Sequence, residues 1–330
     1  MALALDELIK KATTTTATLT KLIPQLFAAQ IEKNLRLHAV MQPSVVSNTD
    51  LLVPGAGDTV YVPLLPDLGM AGDLTEGTDM VPVALTSATS VPLIPTERGN
   101  LVEATRKMLD RIKYDGVAEI MDRLAYSMSL KIEGMLFALW SATVPGSGNG
   151  QSLTVLYPNG HTSGTLVVGD VLDDATFLKA IAQLEESNNI PFPDGYYRFY
   201  ITPLQYKQLL LDANIRQDLR FASPERLLSG EKGALHGCRI IVTNFVPCTG
   251  NALGSSIAAL APAAENTVNV AKALLVAPRW AAIAWKRKAA AYIDPTLYDG
   301  GRRRRFGITA DFDAQLVHYE RAVVVSTANV

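Results

Sequence analysis

Four histidines, two cysteines and several clusters of charge are what this chain has to offer chemically. His38, His161, His236 and His318 are scattered, with no HExxH and no local metal-ligand spacing. Cys238 and Cys248 have nine residues between them, which is not a zinc spacing. Two free thiols in a reducing compartment is the simpler expectation. Gly146-Ser147-Gly148-Asn149-Gly150 looks like a phosphate loop but follows a helix-forming run and lacks the Gly-Lys-Ser/Thr ending, so it reads as a linker. Ser229-Gly230-Glu231-Lys232 fits S-x-x-K without that motif's companions and reads as a turn. Asp67, Asp73, Glu76 and Asp79 lack EF-hand spacing, so a solvated or interfacial acidic loop is expected in place of a cation site. No catalytic, cofactor-binding or metal-binding residue is therefore assigned.

What remains is a division of charge. Leu37 to Glu97 carries seven acids (Asp50, Asp58, Asp67, Asp73, Glu76, Asp79 and Glu97) and no lysine or arginine. Arg279 to Arg305 carries eight bases against Asp294 and Asp299, half of those bases in the run Arg302-Arg303-Arg304-Arg305. Blocks of opposite sign pair either within a subunit or between copies, head to tail. The reading ranked first joins Arg302, Arg303, Arg304 and Arg305 to Asp73, Glu76 and Asp79 across a subunit boundary. A solvated arginine loop ranks second. Phosphate contact ranks third, because no aromatic residues interleave with the arginines as stacking platforms require.

These charges need elements to carry them. The 330 residues suggest two domains, or one core with a large elaboration. Met1 to Lys11 holds Asp6 and Glu7 and no apolar h-region, so no signal peptide is expected. Ala271 to Trp285, broken by Lys272, Pro278 and Arg279, is too short and polar to span a bilayer. The longest helix signal is Tyr114 to Ala142, with Asp115 as N-cap and apolar residues at Val117, Ile120, Met121, Leu124, Met128, Ile132, Met135, Leu136 and Leu139. At ~1.5 Å per residue it would be roughly 40 Å long, a strut across the subunit. Upstream, 1–47 reads as an arm of two short helices joined by a flexible run, Thr13 to Thr16. Thr59 to Val62, Val81 to Leu85 and Thr89 to Ile94 read as strands interrupted by prolines. Such a ribbon has no core of its own and needs a surface, which a neighbouring subunit can supply. Downstream comes an α/β unit. Its parts are a helix capped by Asp173 and Asp174, a strand at Tyr196 to Ile201, a helix capped by Thr202 with Pro203 in its first turn, and strands at Gly237 to Thr243, Ala273 to Ala277 and Ala281 to Trp285. Gly307 to Asp313, Leu316 to Tyr319 and Ala322 to Ser326 close a sheet.

The order of these parts resembles the major capsid proteins of tailed bacteriophages with the HK97-type fold, over nearly the whole chain. Gly57-Asp58-Thr59-Val60-Tyr61-Val62-Pro63 is similar to the opening of that family's hairpin loop, and Leu74 to Asp79 to its middle. Tyr200-Ile201-Thr202-Pro203 with Tyr206 and Leu209, and Gly230 to Asn244, are similar to segments of its axial domain. The resemblance implies an α+β, HK97-like capsid fold. Its parts are an N-terminal arm (1–50), an extended β-hairpin loop with its return (51–106), a peripheral domain with a spine helix (107–170, helix 115–142), an inserted α/β axial domain (171–290) and a return to the peripheral sheet (291–330).

It implies a non-enzymatic virion protein without cofactors, made in the host cytoplasm. It implies pentamers and hexamers that tile an icosahedral shell around double-stranded DNA, with non-specific contact to that DNA. Scaffolding, portal and decoration proteins are implied partners, and no membrane is. Some relatives crosslink through a hairpin lysine. This chain has no lysine between Lys33 and Lys107, so that chemistry is not expected. About 50 residues precede the loop, too few for a large fused scaffolding domain. An encapsulin-like nanocompartment shares the fold, and a cytoplasmic α+β enzyme with a site built from distant residues is the alternative of another class.

Overall fold

Met121, Leu124, Met128, Ile132 and Leu136 recur at helical spacing and lie on one buried face of a 23-residue helix, Gly116–Ala138. The computed structural model describes residues 40–52, 57–64, 89–111, 116–140, 153–213, 234–255, 258–294 and 300–330, with Asp73, Asp79 and Ile215 besides. The arm helices, Asp115, Glu76 and the strand expected at Val81 to Leu85 lie outside those residues.

In chain order the elements are β1 (Val46–Asn48), β2 (Val60–Leu64), β3 (Thr89–Leu93), β4 (Thr96–Thr105), α1 (Arg106–Arg111) and α2 (Gly116–Ala138). There follow β5 (Thr154–Leu156), α3 (Asp174–Glu186), β6 (Tyr197–Ile201), α4 (Pro203–Leu211), β7 (Ala234–Leu235) and β8 (Cys238–Val242). The last four are β9 (Val270–Val276), β10 (Ala281–Ile293), β11 (Arg303–Leu316) and β12 (Ala322–Ala328).

Two sheets result. One has four strands in the order β1-β10-β11-β4, the other six in the order β5-β12-β9-β6-β8-β7. The spine helix α2 covers one face of the four-stranded sheet, packing on Ala104, Phe306, Ile308, Ala310 and Phe312. Its C-terminal end reaches the other sheet. The Phe137 ring meets Tyr200 edge-on at 5.7 Å, and Trp140 Nε1 donates to the Lys272 carbonyl at 3.0 Å.

The six-stranded sheet is buried on both faces. Tyr200, Leu274, Val276 and Val324 point to the spine-helix side, while Phe199, Ile201, Leu275, Val323 and Val325 pack under α3 and α4. Burial on both sides is why β12 reads as an unbroken Ala-Val-Val-Val run without the alternation of a half-exposed strand. Local capping sets both helices on that outer face. Asp173 accepts from Thr176 N at 2.9 Å, and Thr202 with Gln205 forms a reciprocal capping box. A single such cap is worth about 1 kcal/mol.

Three expectations change here. Ala281 to Trp285 does not join the α/β unit. It opens β10, which lies in the four-stranded sheet because its Ala-Ala-Ile-Ala-Trp run is covered by α2 on one face and by the ribbon base on the other. Ala322 to Ser326 does not return to the peripheral sheet; β12 lies between β5 and β9 in the other one. The ribbon is not without support in its own subunit, since Val62, Leu64 and Leu93 of its base pack on Ala282, Ala284 and Val317. The two strands of that base, β2 and β3, pair in register from Val60↔Leu93 to Leu64↔Thr89.

Candidate intersubunit surface

The four-stranded sheet has one face under α2 and one facing out, and the outward face carries the charge. Alternation along β11 puts Arg303, Arg305, Gly307, Thr309 and Asp311 outward. Register then decides what stands beside each. Arg305 is opposite Glu103 and Arg303 opposite Thr105, so one carboxylate lies within reach of two guanidiniums. Arg303 Nη1 donates to Glu103 Oε1 at 2.8 Å, and Arg305 Nε donates to Glu103 Oε2 at 2.9 Å. These bonds, Arg305's first and Arg303's next, hold the Glu103 carboxyl below the usual carboxylate range.

A second ion-pair row crosses the same face. Arg287 Nη2 donates to Asp311 Oδ1 at 3.0 Å and also to Glu97. Between the two rows lies an apolar step, where Leu101, Gly307 and Tyr292 stand side by side on three strands. The Tyr292 ring lies over Gly307, and both Tyr292 and Leu101 are about half exposed. At the far end, Lys286 pairs with Asp58 and fastens the ribbon base to the sheet.

The predicted site residues fare differently from one another. Arg303, Arg304 and Arg305 are not a loop: they are the first turns of β11's ladder with β4, and Arg302 alone stands in the turn before it. Arg303 and Arg305 are engaged within the subunit. Arg302 and Arg304 are exposed and form no ion pair among the described residues. Asp73 and Asp79 are exposed, and Glu76 lies outside the described residues.

The acid that sequence reasoning missed is Glu103. Its signal was present, since Glu97, Leu101 and Glu103 are spaced by even steps and share one face of a strand. Gly99-Asn100 in the middle of that run lowers its strand propensity and conceals it. Glu133 was missed too. It sits four residues after Ser129 and four before Phe137, a carboxylate on a buried stripe of the spine helix.

Among the described residues no group of three histidines, cysteines or carboxylates is placed to hold a metal ion, and no helix is long and apolar enough to cross a membrane. Comparison with known proteins settles the class. A family model described as phage capsid protein matches residues 89–325, more than two thirds of the chain.

The chain belongs to the phage capsid protein family.

Solved structures show the same fold at low identity. The capsid asymmetric unit of cyanophage Pam1 matches at 14% identity and a TM-score of 0.67, covering 88% of this chain and 92% of that one. The capsid of Ralstonia phage GP4 matches at 13% identity and a TM-score of 0.65, covering 87% of each chain. The acid-stable capsid of Helicobacter pylori bacteriophage KHP30 matches at 13% identity and a TM-score of 0.65, covering 88% and 91%. No curated protein sequence matches the chain. The capsid protein is thus an α+β protein of HK97-type fold, a shell component of a phage virion. In this capsid protein α2 covers one face of the four-stranded sheet, and the ribbon of β2 and β3 packs on part of the other.

Proposed function

We propose that this capsid protein is a non-enzymatic building block that self-associates into pentamers and hexamers, which close into an icosahedral shell around double-stranded DNA. It would assemble in the host cytoplasm, with scaffolding, portal and decoration proteins as further partners. The contact we assign to this assembly joins the acidic hairpin loop of one copy (Asp73, Glu76 and Asp79) to the basic corner of the next. The observation that carries it is the split within the arginine run. Glu103 engages both Arg303 and Arg305 in cis, and the exposed charges of Arg302 and Arg304 are left for a partner. A contact between two different patches is heterologous, and a heterologous contact that closes on itself makes rings.

The test separates the two pairs of arginines. Full-length R302A/R304A and R303A/R305A are examined by electron microscopy at low and high salt, expressed alone and with the neighbouring genes. R302A/R304A is expected to keep the parent's melting temperature and to form few shells. Parental assembly is expected to fall as salt rises, since exposed pairs are screened beyond about 10 Å at 0.1 M salt. R303A/R305A is expected to lower the melting temperature as well. Normal shell yields from R302A/R304A at both salt concentrations would refute the contact.

A further inference from the structure

Tyr126, Leu130, Glu133 and Phe137 follow one another at helical spacing along α2, and the stripe they form changes character part-way. Phe137 and Glu133 are buried, whereas Leu130 and Tyr126 emerge, Tyr126 to 43% exposure. Beside the emerging half lies an open groove of about 580 Å³, where α2 meets α4 and the loop after β8. Tyr126 and Leu130 line it together with Leu204 of α4 and Phe245, Cys248 and Leu253 of that loop. None of these six is fully buried, and no charged residue lines the groove among the described residues. The lining is continuous with the core, because Phe245 stacks on Phe137 at 5.7 Å. A groove of this kind suits the apolar face of an amphipathic helix.

The N-terminal arm of the chain ends beside this groove. Met41 N donates to Glu133 Oε2 at 2.9 Å and Gln42 N donates to Glu133 Oε1 at 3.3 Å, which fastens the end of the arm to the same stripe of α2. From Glu133 back to Leu130 and to Tyr126 is roughly 5 and 10 Å along the helix axis. Residues 1–39 lie outside the described residues. Their sequence places Phe27, Ile31 and Leu35 at i, i+4 and i+8 after Pro24, while Glu32, Lys33 and Arg36 fall on the other faces of such a helix. At ~1.5 Å per residue, Leu35 and Ile31 can reach Leu130 and Tyr126 from the fastened backbone at Met41.

We propose that this groove is the docking site of the same subunit's N-terminal arm: in the free subunit the Phe27, Ile31 and Leu35 face packs into it. The tether selects the arm of the same chain over that of another copy. Few residues separate Leu35 from Met41, so the bonds to Glu133 keep the arm at a high local concentration over its own groove. The uncharged lining selects the arm over the acidic hairpin loop. Asp73 and Asp79 would lose water there without gaining a counter-charge, and an apolar helix face needs none.

Two native thiols serve the test. Cys248 lies in the groove and is partly exposed among the described residues, and Cys238 is fully buried elsewhere. The experiment is maleimide labelling of dilute full-length subunits, followed at each thiol by mass spectrometry. F27S/I31S/L35S should label at Cys248 at least roughly tenfold faster than the parent, the equivalent of one buried apolar side chain, with Cys238 protected in both. Equal Cys248 rates with Cys238 protected would overturn the proposal. The second readout is mild oxidation of the single variants F27C, I31C and L35C, with T14C as the control for random collision. A disulfide to Cys248 within one chain, formed at one or more of the three positions and faster than in T14C, supports docking. Disulfides between chains assign the groove to another copy's arm and overturn the proposal, as does the lack of any disulfide beyond the control. If F27S/I31S/L35S does not fold, seen as labelling of Cys238, the disulfides decide alone.

Discussion

Two glycines on neighbouring strands make a sharper test of the packing than their distances suggest. A Cβ at Gly307 would lie 2.5 Å from Tyr292 Cζ and 2.7 Å from its hydroxyl. A Cβ at Gly99 would lie 2.7 Å from the Ile308 carbonyl oxygen and 2.9 Å from Thr309 Cγ2. Distance alone ranks G307A the worse. The identity of the neighbour reverses that order. Tyr292 is 44% exposed, and its ring can swing into solvent at the loss of part of its packing, about 1 kcal/mol. Alanine returns about 0.5–1 kcal/mol over glycine in an extended strand, so G307A should be close to neutral. The Ile308 carbonyl is backbone in the middle of the β4–β11 ladder and cannot move without disturbing it. G99A should therefore cost about 1–3 kcal/mol, as overpacked sites do. Trp285 packs on Phe312 at 5.2 Å within the same sheet, so its fluorescence during urea unfolding reports on both variants. A G307A midpoint at or below that of G99A would show that the Tyr292 ring is locked in place, and the reasoning would fail.

Two other predictions concern the six-stranded sheet and its rim. Gln205 is fully buried; its amide donates to the Ala271 carbonyl at 3.1 Å and to Thr327 Oγ1 at 2.9 Å, so Q205A should cost about 2–3 kcal/mol in urea unfolding, and a variant within 0.5 kcal/mol of the parent would contradict that. Asp170 is buried and accepts from Asn159 at 2.9 Å and Val167 N at 2.8 Å, with His161 Nδ1 at 2.6 Å. Burial alone would raise its carboxyl, but the Val167, Asn159 and His161 contacts together bring it below 3.8. Its stabilisation is then full above about pH 4 and lost as the pH falls through the lowered value, so D170A should cost about 3 kcal/mol at pH 7 and close the gap to the parent in acid. A gap that stays constant down to pH 2.5 would contradict it.

Much of the fold was legible in the sequence because its determinants are local. The spine helix follows from the spacing of Met121, Leu124, Met128, Ile132 and Leu136, which depends only on 3.6 residues per turn. The caps at Asp173 and Thr202 involve backbone groups three residues away. β6 and β8 are β-rich runs bounded by turn residues. The resemblance to phage capsid proteins rested on the order of these parts, and the family model supports it.

The sequence by itself thus determined the long helix, the two capped helices, strands β6, β8 and β9, and which blocks of the chain are acidic or basic. It did not determine which acid meets which base. Glu103 reaches Arg303 and Arg305 across some two hundred residues, because β4 and β11 pair in one register; a one-residue slip would turn Glu103 to the other face. Sheet membership was decided the same way. β9 and β10 are adjacent in sequence and alike in composition, yet what covers their faces sends them to different sheets. Glu133 is an ordinary helical glutamate in sequence; burial in the core pushes its carboxyl up to about 7, against the backbone N–H bonds it accepts. Periodicity and capping act over a few residues and can be read along the chain. Register, burial and desolvation are properties of the assembled core, and only the tertiary structure supplies them.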